Sequence, residues 1–221
     1  MGVTDEQVAR LARLDACAVS DALDSLGLAG AALGLHALTG ARPVAGRVLT
    51  VDLRPAGDGP SGGRHLGTAA IEAAASGEVI VVGAGGRTDA GGWGGVLSLA
   101  AVTRGVAGVV VDGACRDVDE AREYGLAVYA RAGVPRTARG RLREVAWNTP
   151  VEVAGVTVRP GDAVIADGSG VVFVPAAEAG PVLAKAESIA AREARMAARI
   201  RAGEPVSQVM SADYENMLRE D

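Results

Sequence analysis

Aromatic residues are scarce in this chain of 221 residues: 3%, made up of one Phe, two Trp and three Tyr. Packing must therefore rest on Ala, Val and Leu, and an apolar content of 49% is enough to close a core. Cysteine is nearly missing, and Cys17 and Cys115 alone make neither a zinc site nor a disulfide scaffold. Histidine is as rare. His36 and His65 leave little scope for a histidine base and read as surface residues. There is no excess of positive charge. Lys plus Arg number 22 against 27 Asp plus Glu, a net charge of −5, which argues against a nucleic-acid partner. No apolar run approaches the roughly 20 residues that span a bilayer. The start, Met1 to Glu6, has no apolar signal core and lacks the Ser or Thr of a myristoylation site. No Gly-x-Ser-x-Gly elbow occurs, and neither cysteine has a local partner that marks a nucleophile. These absences predict a soluble, cytoplasmic protein with neither nucleic acid nor membrane as partner.

What the chain does have is glycine, 31 residues of it, about twice the usual share. Thr4-Asp5-Glu6-Gln7 predicts a capping box and a helix through Leu14. A second helix is expected over Val19 to Leu26, stopped by Gly27. Val48 to Leu53 reads as a strand, Pro55 to Gly63 as a loop, and Leu66 to Ala75 as a helix. The pattern then alternates. Val79 to Val82 is a buried strand, Gly83 to Gly95 a long glycine loop, and Val96 to Arg104 a helix. Val109 to Val111 and Val118 to Tyr124 repeat the strand and the helix, which implies an α/β arrangement with parallel strands. Further on, Val151 to Val158 suggests a hairpin turning at Ala154-Gly155, and Ala163 to Ala166 pairs with Val171 to Val174. Ala176 to Arg201 reads as one long helix. No linker or repeat appears, so residues 1–221 are expected to form a single domain with a long C-terminal helix, about 176–202.

Two stretches carry chemistry. Gly83-Ala84-Gly85-Gly86 begins like a dinucleotide-binding turn, but the sixth position is Thr88 where the fingerprint needs glycine. Trp93-Gly94-Gly95-Val96-Leu97 leads into a helix. With no β-carbons on the glycines, the amides of Gly95, Val96 and Leu97 are placed to meet a carboxylate at the positive end of the helix dipole. The alternative is a tight turn that needs glycine for conformation alone. Asp112 to Glu120 follows a buried strand and opens a helix, the place where parallel sheets hold ligands. Asp117 and Glu120 there fit an N-cap pair. Equally, Arg116 suits a carboxylate or enolate oxygen, and Asp117 a hard divalent ion that fills its other positions with substrate and water. Carboxylate, arginine and metal-bound water form the one acid–base scheme these residues support.

Those residues resemble a known family. Gly94-Gly95-Val96-Leu97, twenty residues between Gly95 and Arg116, and then Arg116-Asp117-x-x-Glu120 match the signature of the RraA-like proteins. Val19 to Asp24, Val106 to Ala114 and Gly161 to Asp167 fit as well, and the resemblance runs from about residue 10 to 205. The family includes class II pyruvate aldolases that cleave 4-hydroxy-4-methyl-2-oxoglutarate and 4-carboxy-4-hydroxy-2-oxoadipate. The resemblance implies an αββα sandwich assembled as a homotrimer or a dimer of trimers, with sites at subunit interfaces. It implies that the loop amides of Gly95, Val96 and Leu97 bind a pyruvyl carboxylate and that Arg116 contacts the keto or enolate oxygen. Asp117 then holds Mg²⁺ or Mn²⁺, and Glu193 matches a glutamate that a neighbouring subunit's C-terminal helix brings to the site.

The activity so implied is metal-dependent cleavage of a 4-hydroxy-2-oxo acid to pyruvate through an enolate, with oxaloacetate decarboxylation beside it. Several of the aldolases carry a carboxylate where this chain has Gly95. Other members bind and inhibit a ribonuclease and lack the metal-holding aspartate. Asp117 is present here, which favours the enzyme over a non-catalytic regulator. A related enolate-forming enzyme of a specialised pathway is the other alternative. Some relatives have been labelled methyltransferases, a name that the missing fingerprint glycine does not support.

Overall fold

Alternate residues of the central strands face different neighbours, and this decides the architecture. The computed structural model describes residues 2–40, 42–57 and 65–210. Two helices, α1 (Asp5–Leu11) and α2 (Ala16–Ser25), come first, followed by short strands β1 (Ala31–Ala32) and β2 (His36–Ala37) and the long β3 (Val44–Pro55). Then come α3 (Thr68–Ala73), β4 (Val79–Trp93), α4 (Gly95–Thr103), β5 (Gly108–Cys115), α5 (Val118–Glu123) and β6 (Ala127–Gly133). The remainder is β7 (Leu142–Trp147), β8 (Val151–Val153), β9 (Val156–Val158), β10 (Ala163–Asp167), β11 (Gly170–Val174), α6 (Ala179–Arg201) and α7 (Val206–Val209).

β3, β4, β5 and β6 pair in parallel, and β10 and β11 continue the sheet antiparallel, in the order β1-β11-β10-β3-β4-β5-β6-β2. β1 and β2 stand at opposite ends of that path, yet only Leu33 to Leu35 separate them in sequence, so the sheet must curl on itself. Successive strand side chains point to opposite faces. Val79, Val81 and Val110 accordingly point inward to meet Val164, Val171 and Phe173 in a core between the two halves of the sheet. Ile80, Val82, Val109 and Val111 point outward and pack under α3, α4 and α5. Ala163, Ile165, Val172 and Val174 do the same under α1, α2 and α6. The layers run helix, sheet, sheet, helix: the expected αββα sandwich with its long C-terminal helix.

Several boundaries differ for local reasons. The capping box of Thr4 and Gln7 is present, but α1 ends at Leu11 and not Leu14. α2 starts three residues before the expected Val19, because Asp15 caps it by accepting the Ala18 amide at 2.8 Å. β3 is longer than expected and α3 shorter. The expected loop over Pro55 to Gly63 falls mostly outside the described residues. The expected glycine loop at 83–95 is instead strand through Trp93. Gly85 and Gly86, at φ 63° and 72°, put bulges into β4, and its register against β5 shifts three times. The Ala154-Gly155 turn has both residues left-handed, as a two-residue hairpin requires. β6 and β7 were not anticipated. Among the described residues, no helix is long and apolar enough to cross a membrane.

Candidate active site

β4 and β5 end side by side, and the site grows from that junction. The Arg116 amide donates to Trp93 O at 2.9 Å, which fixes the chain leaving β5 against the chain leaving β4. Arg116 then lies across the glycines of the neighbouring strand. A β-carbon on Gly91 would sit 3.0 Å from Arg116 Cγ, and one on Gly94 would sit 3.1 Å from the same atom. These glycines therefore serve close approach, but of the chain's own arginine and not of a ligand. At Gly95 a β-carbon would overlap Glu120 Oε2, so this glycine makes room for a carboxylate reaching over from α5.

Asp117 occupies the N-cap position of α5 with φ 54° and ψ 42°, in the left-handed region, and its side chain makes no capping bond. The expected N-cap pairing with Glu120 is therefore not formed. The Asp117 carboxylate is turned into the site, where Oδ2 accepts the Gly95 amide at 3.1 Å. Arg116 Nε donates to both of its oxygens, at 3.2 and 3.0 Å. A non-glycine residue held left-handed costs about 1 kcal/mol or more, so the surrounding structure must impose it. Arg116 and Asp117 are both about one-third exposed. Among the described residues, the Arg116 Nη groups have no protein partner.

Of the three amides expected to meet an anion, that of Gly95 is engaged by Asp117. Those of Val96 and Leu97 lie in the first turn of α4, where no upstream carbonyl can accept them within the helix. Gly94, Gly95, Val96, Leu97, Arg116 and Asp117 all line one open cleft of about 230 Å³. Its far side is built by Thr137, Ala138 and Arg139, from the segment between β6 and β7, and by His65 and Leu66 ahead of α3. The sequence reading missed Arg139; His65 is exposed, as expected, and also lines the cleft. The one signal was the density of arginine from Arg131 to Arg143 in an acidic chain. Gly91 draws that segment in by donating to Arg136 O at 2.9 Å.

Glu193 of the same chain is not among the residues lining this cleft. It faces α2, and its carboxyl is pushed above the usual range by burial and then by Asp15 and Asp21. Cys115, directly before Arg116, is buried, and burial raises its thiol to about 12, which removes it as a nucleophile at neutral pH.

Comparison with known proteins identifies the family. Residues 16–173 match the RraA-like family, described as Aldolase/RraA. A Halalkalibacterium halodurans protein, named provisionally as a 4-hydroxy-4-methyl-2-oxoglutarate aldolase, is 32% identical over 207 residues, covering 90% of each chain. An uncharacterized protein of Pseudomonas syringae pv. tomato superposes with a TM-score of 0.86 at 29% identity, over 96% of this chain and 100% of its own. RraAS2 of Streptomyces coelicolor, described as an unusual member of the RNase ES inhibitor RraA family, follows with a TM-score of 0.80 at 28% identity, over 90% and 98%. The chain spans only 33% to 62% of the length of the first curated relatives it matches. The family match takes in β5, Arg116 and Asp117, and the chain belongs to the RraA-like family.

Proposed function

We propose that this protein is a divalent-metal-dependent carbon–carbon lyase that cleaves a 4-hydroxy-2-oxo acid to pyruvate through an enolate, with oxaloacetate decarboxylation as a side activity. One observation carries the reading. Asp117 gives up its capping role and accepts a strained backbone so that its carboxylate stands in the cleft beside Arg116. Strain of this kind collects at functional sites.

Mg²⁺ or Mn²⁺ suits the donors present. Asp117 supplies hard carboxylate oxygens, Glu120 lies alongside, and the open cleft leaves positions for water and substrate. Among the described residues, no group of three or more His, Cys, Asp or Glu converges, so these residues offer no closed protein cage. The bound ion supplies positive charge against the 2-oxo oxygen.

The chain's own residues do the rest. The Val96 and Leu97 amides bind the carboxylate of the pyruvyl half at the helix N-terminus. Arg116 donates through its Nη groups to the 2-oxo oxygen and holds the charge that develops there. The C4 hydroxyl gives its proton to a water in the cleft, its electrons form the new carbonyl, and the C3–C4 bond breaks. The pair from that bond becomes the enolate, and a proton returned to C3 gives pyruvate. We further propose a homotrimer, single or paired, in which Glu193 of a neighbouring copy completes each cleft. Two features support it: α6 has no buried residue beyond Ile189, and Val96 at the cleft rim is 83% exposed.

The test is pyruvate release from oxaloacetate with Mg²⁺ or Mn²⁺, with EDTA, and with Asp117→Ala. The expected result is turnover that needs the metal and disappears in the variant. A folded protein inactive with both metals and on 4-hydroxy-2-oxo acids would sink the reading and leave a protein-binding regulator of a ribonuclease in its place.

A further inference from the structure

We infer that Ser98, acting with Trp93, is a positioning residue for this site: it sets the orientation of the Gly94–Gly95 peptide and so aims the Gly95 N–H at Asp117. The inference rests on the proposed lyase reading for its catalytic consequence, but not for its geometry. Two adjacent glycines carry no side chains that could hold their shared peptide in place. Ser98 supplies the restraint. It is fully buried in the second turn of α4, and its hydroxyl donates to Gly94 O at 3.0 Å. The Ser98 amide donates to the same carbonyl, also at 3.0 Å.

A trans peptide is planar, with C=O and N–H pointing in opposite directions. Pinning Gly94 O toward α4 therefore turns the Gly95 N–H away from the helix, and it meets Asp117 Oδ2 at 3.1 Å. The Ser98 hydroxyl is itself fixed, because its oxygen accepts the Trp93 indole N–H at 3.0 Å. The hydroxyl thus has one donor and one acceptor partner: the bond from the indole is buried, and the bond to Gly94 is part-buried.

The indole extends the restraint to the opposite lip of the cleft. Trp93 packs on the backbone of Gly67, where a β-carbon would sit 3.2 Å from Cζ3. The Gly67 amide is held by Glu144 Oε2 at 2.6 Å. His65 and Leu66, which line the cleft, immediately precede that glycine. One buried hydroxyl therefore ties the carboxylate-bearing side of the cleft to its lip.

The test compares Ser98→Ala, Ser98→Thr and Trp93→Phe with the wild type by amide hydrogen exchange, thermal unfolding and Mg²⁺-dependent oxaloacetate kinetics. Ser98→Ala is expected to speed exchange of the Gly95 amide about tenfold or more while the β5 amides keep their protection. It should also lower kcat/KM roughly 10- to 100-fold, the size of effect that a misplaced binding group produces. Ser98→Thr keeps the hydroxyl and should stay within about threefold of wild type, and Trp93→Phe should fall between, since it leaves the bond to Gly94 intact. Unchanged Gly95 exchange in Ser98→Ala would overturn the inference, as would wild-type kcat/KM beside a lowered Tm, the pattern of a residue that only fills the core. If the wild type shows no turnover, the lyase reading fails, and Gly95 exchange still decides whether Ser98 sets the turn. Should Ser98→Ala not fold, Ser98→Cys, which keeps a side chain there but only a weak donor, decides by the same two measurements.

Discussion

Gly95 and Glu120 share a space that holds only one of them: the Glu120 carboxylate stands where a side chain on Gly95 would have to go. Gly95 opens α4, a helical position that tolerates alanine, and the atom in the way is the far end of a flexible side chain. Gly95→Ala should therefore fold normally, with a stability change under about 1 kcal/mol. Activity is another matter. Displacing Glu120 and crowding Asp117 should cut oxaloacetate turnover roughly 100-fold. A pyruvate-release assay beside a thermal melt checks both halves, and equal losses in the two would contradict the account.

The same junction shows how much of the molecule the sequence made legible. The central strands and the Arg116-Asp117 pair were readable because each is local: short continuous apolar runs, and two adjacent residues at a strand end. The role of the glycines was not. Gly91 and Gly94 look like a flexible loop in sequence, and only the pairing of β4 with β5 shows that Arg116 lies across them. Arg139 and His65 stayed invisible for a related reason. They reach the cleft from segments tens of residues away, and no local pattern encodes that meeting.

The strain at Asp117 can be measured directly. Asp117→Gly and Asp117→Ala both remove the carboxylate, so both should abolish metal-dependent turnover. Only glycine takes up φ 54° without penalty. Asp117→Gly should be more stable than Asp117→Ala by about 1 kcal/mol, seen as a difference of about 2–4 °C in Tm. Identical melting points would mean that the left-handed backbone carries no cost here.

Arg139 lines the same cleft as Gly94 and Gly95, where it adds positive charge, and among the described residues it makes no hydrogen bond or ion pair with Asp117. Its contribution should be to bind the substrate in ground and transition states alike. Arg139→Ala is then expected to raise KM for an acidic 2-oxo acid about tenfold and leave kcat within about twofold. Steady-state kinetics across a substrate titration separates the two. A fall in kcat at unchanged KM would instead give Arg139 a part in the chemical step.

Glu193 predicts a pH-dependent stability. Burial and then the charges of Asp15 and Asp21 raise its carboxyl above the usual 4.5, so the folded state favours the protonated form. The stability it contributes is full below 4.5 and is lost as pH rises through the folded value. Glu193→Gln should therefore melt higher than the wild type at pH 7 and equal to it below the ordinary carboxylate range. The gain is small, on the order of 1 °C, because this side chain is largely in water. Melts from pH 4 to 8 test the sign, and a Glu193→Gln protein less stable at pH 7 would reverse it.

The proposed interface site makes a stronger demand on the same residue. If Asp117 acts from one copy and Glu193 from the next, Asp117→Ala and Glu193→Gln homotrimers are each inactive, but mixed trimers are not. A closed ring with identical interfaces distributes the two variants at random, so roughly a quarter of the clefts regain both carboxylates. The variants should be unfolded together, refolded, and assayed after native mass spectrometry has confirmed mixed species. Recovery of about a quarter of wild-type turnover would place Glu193 in trans. Mixed trimers without activity would confine the site to residues of one chain, and the single-variant kinetics would then say whether Glu193 matters at all.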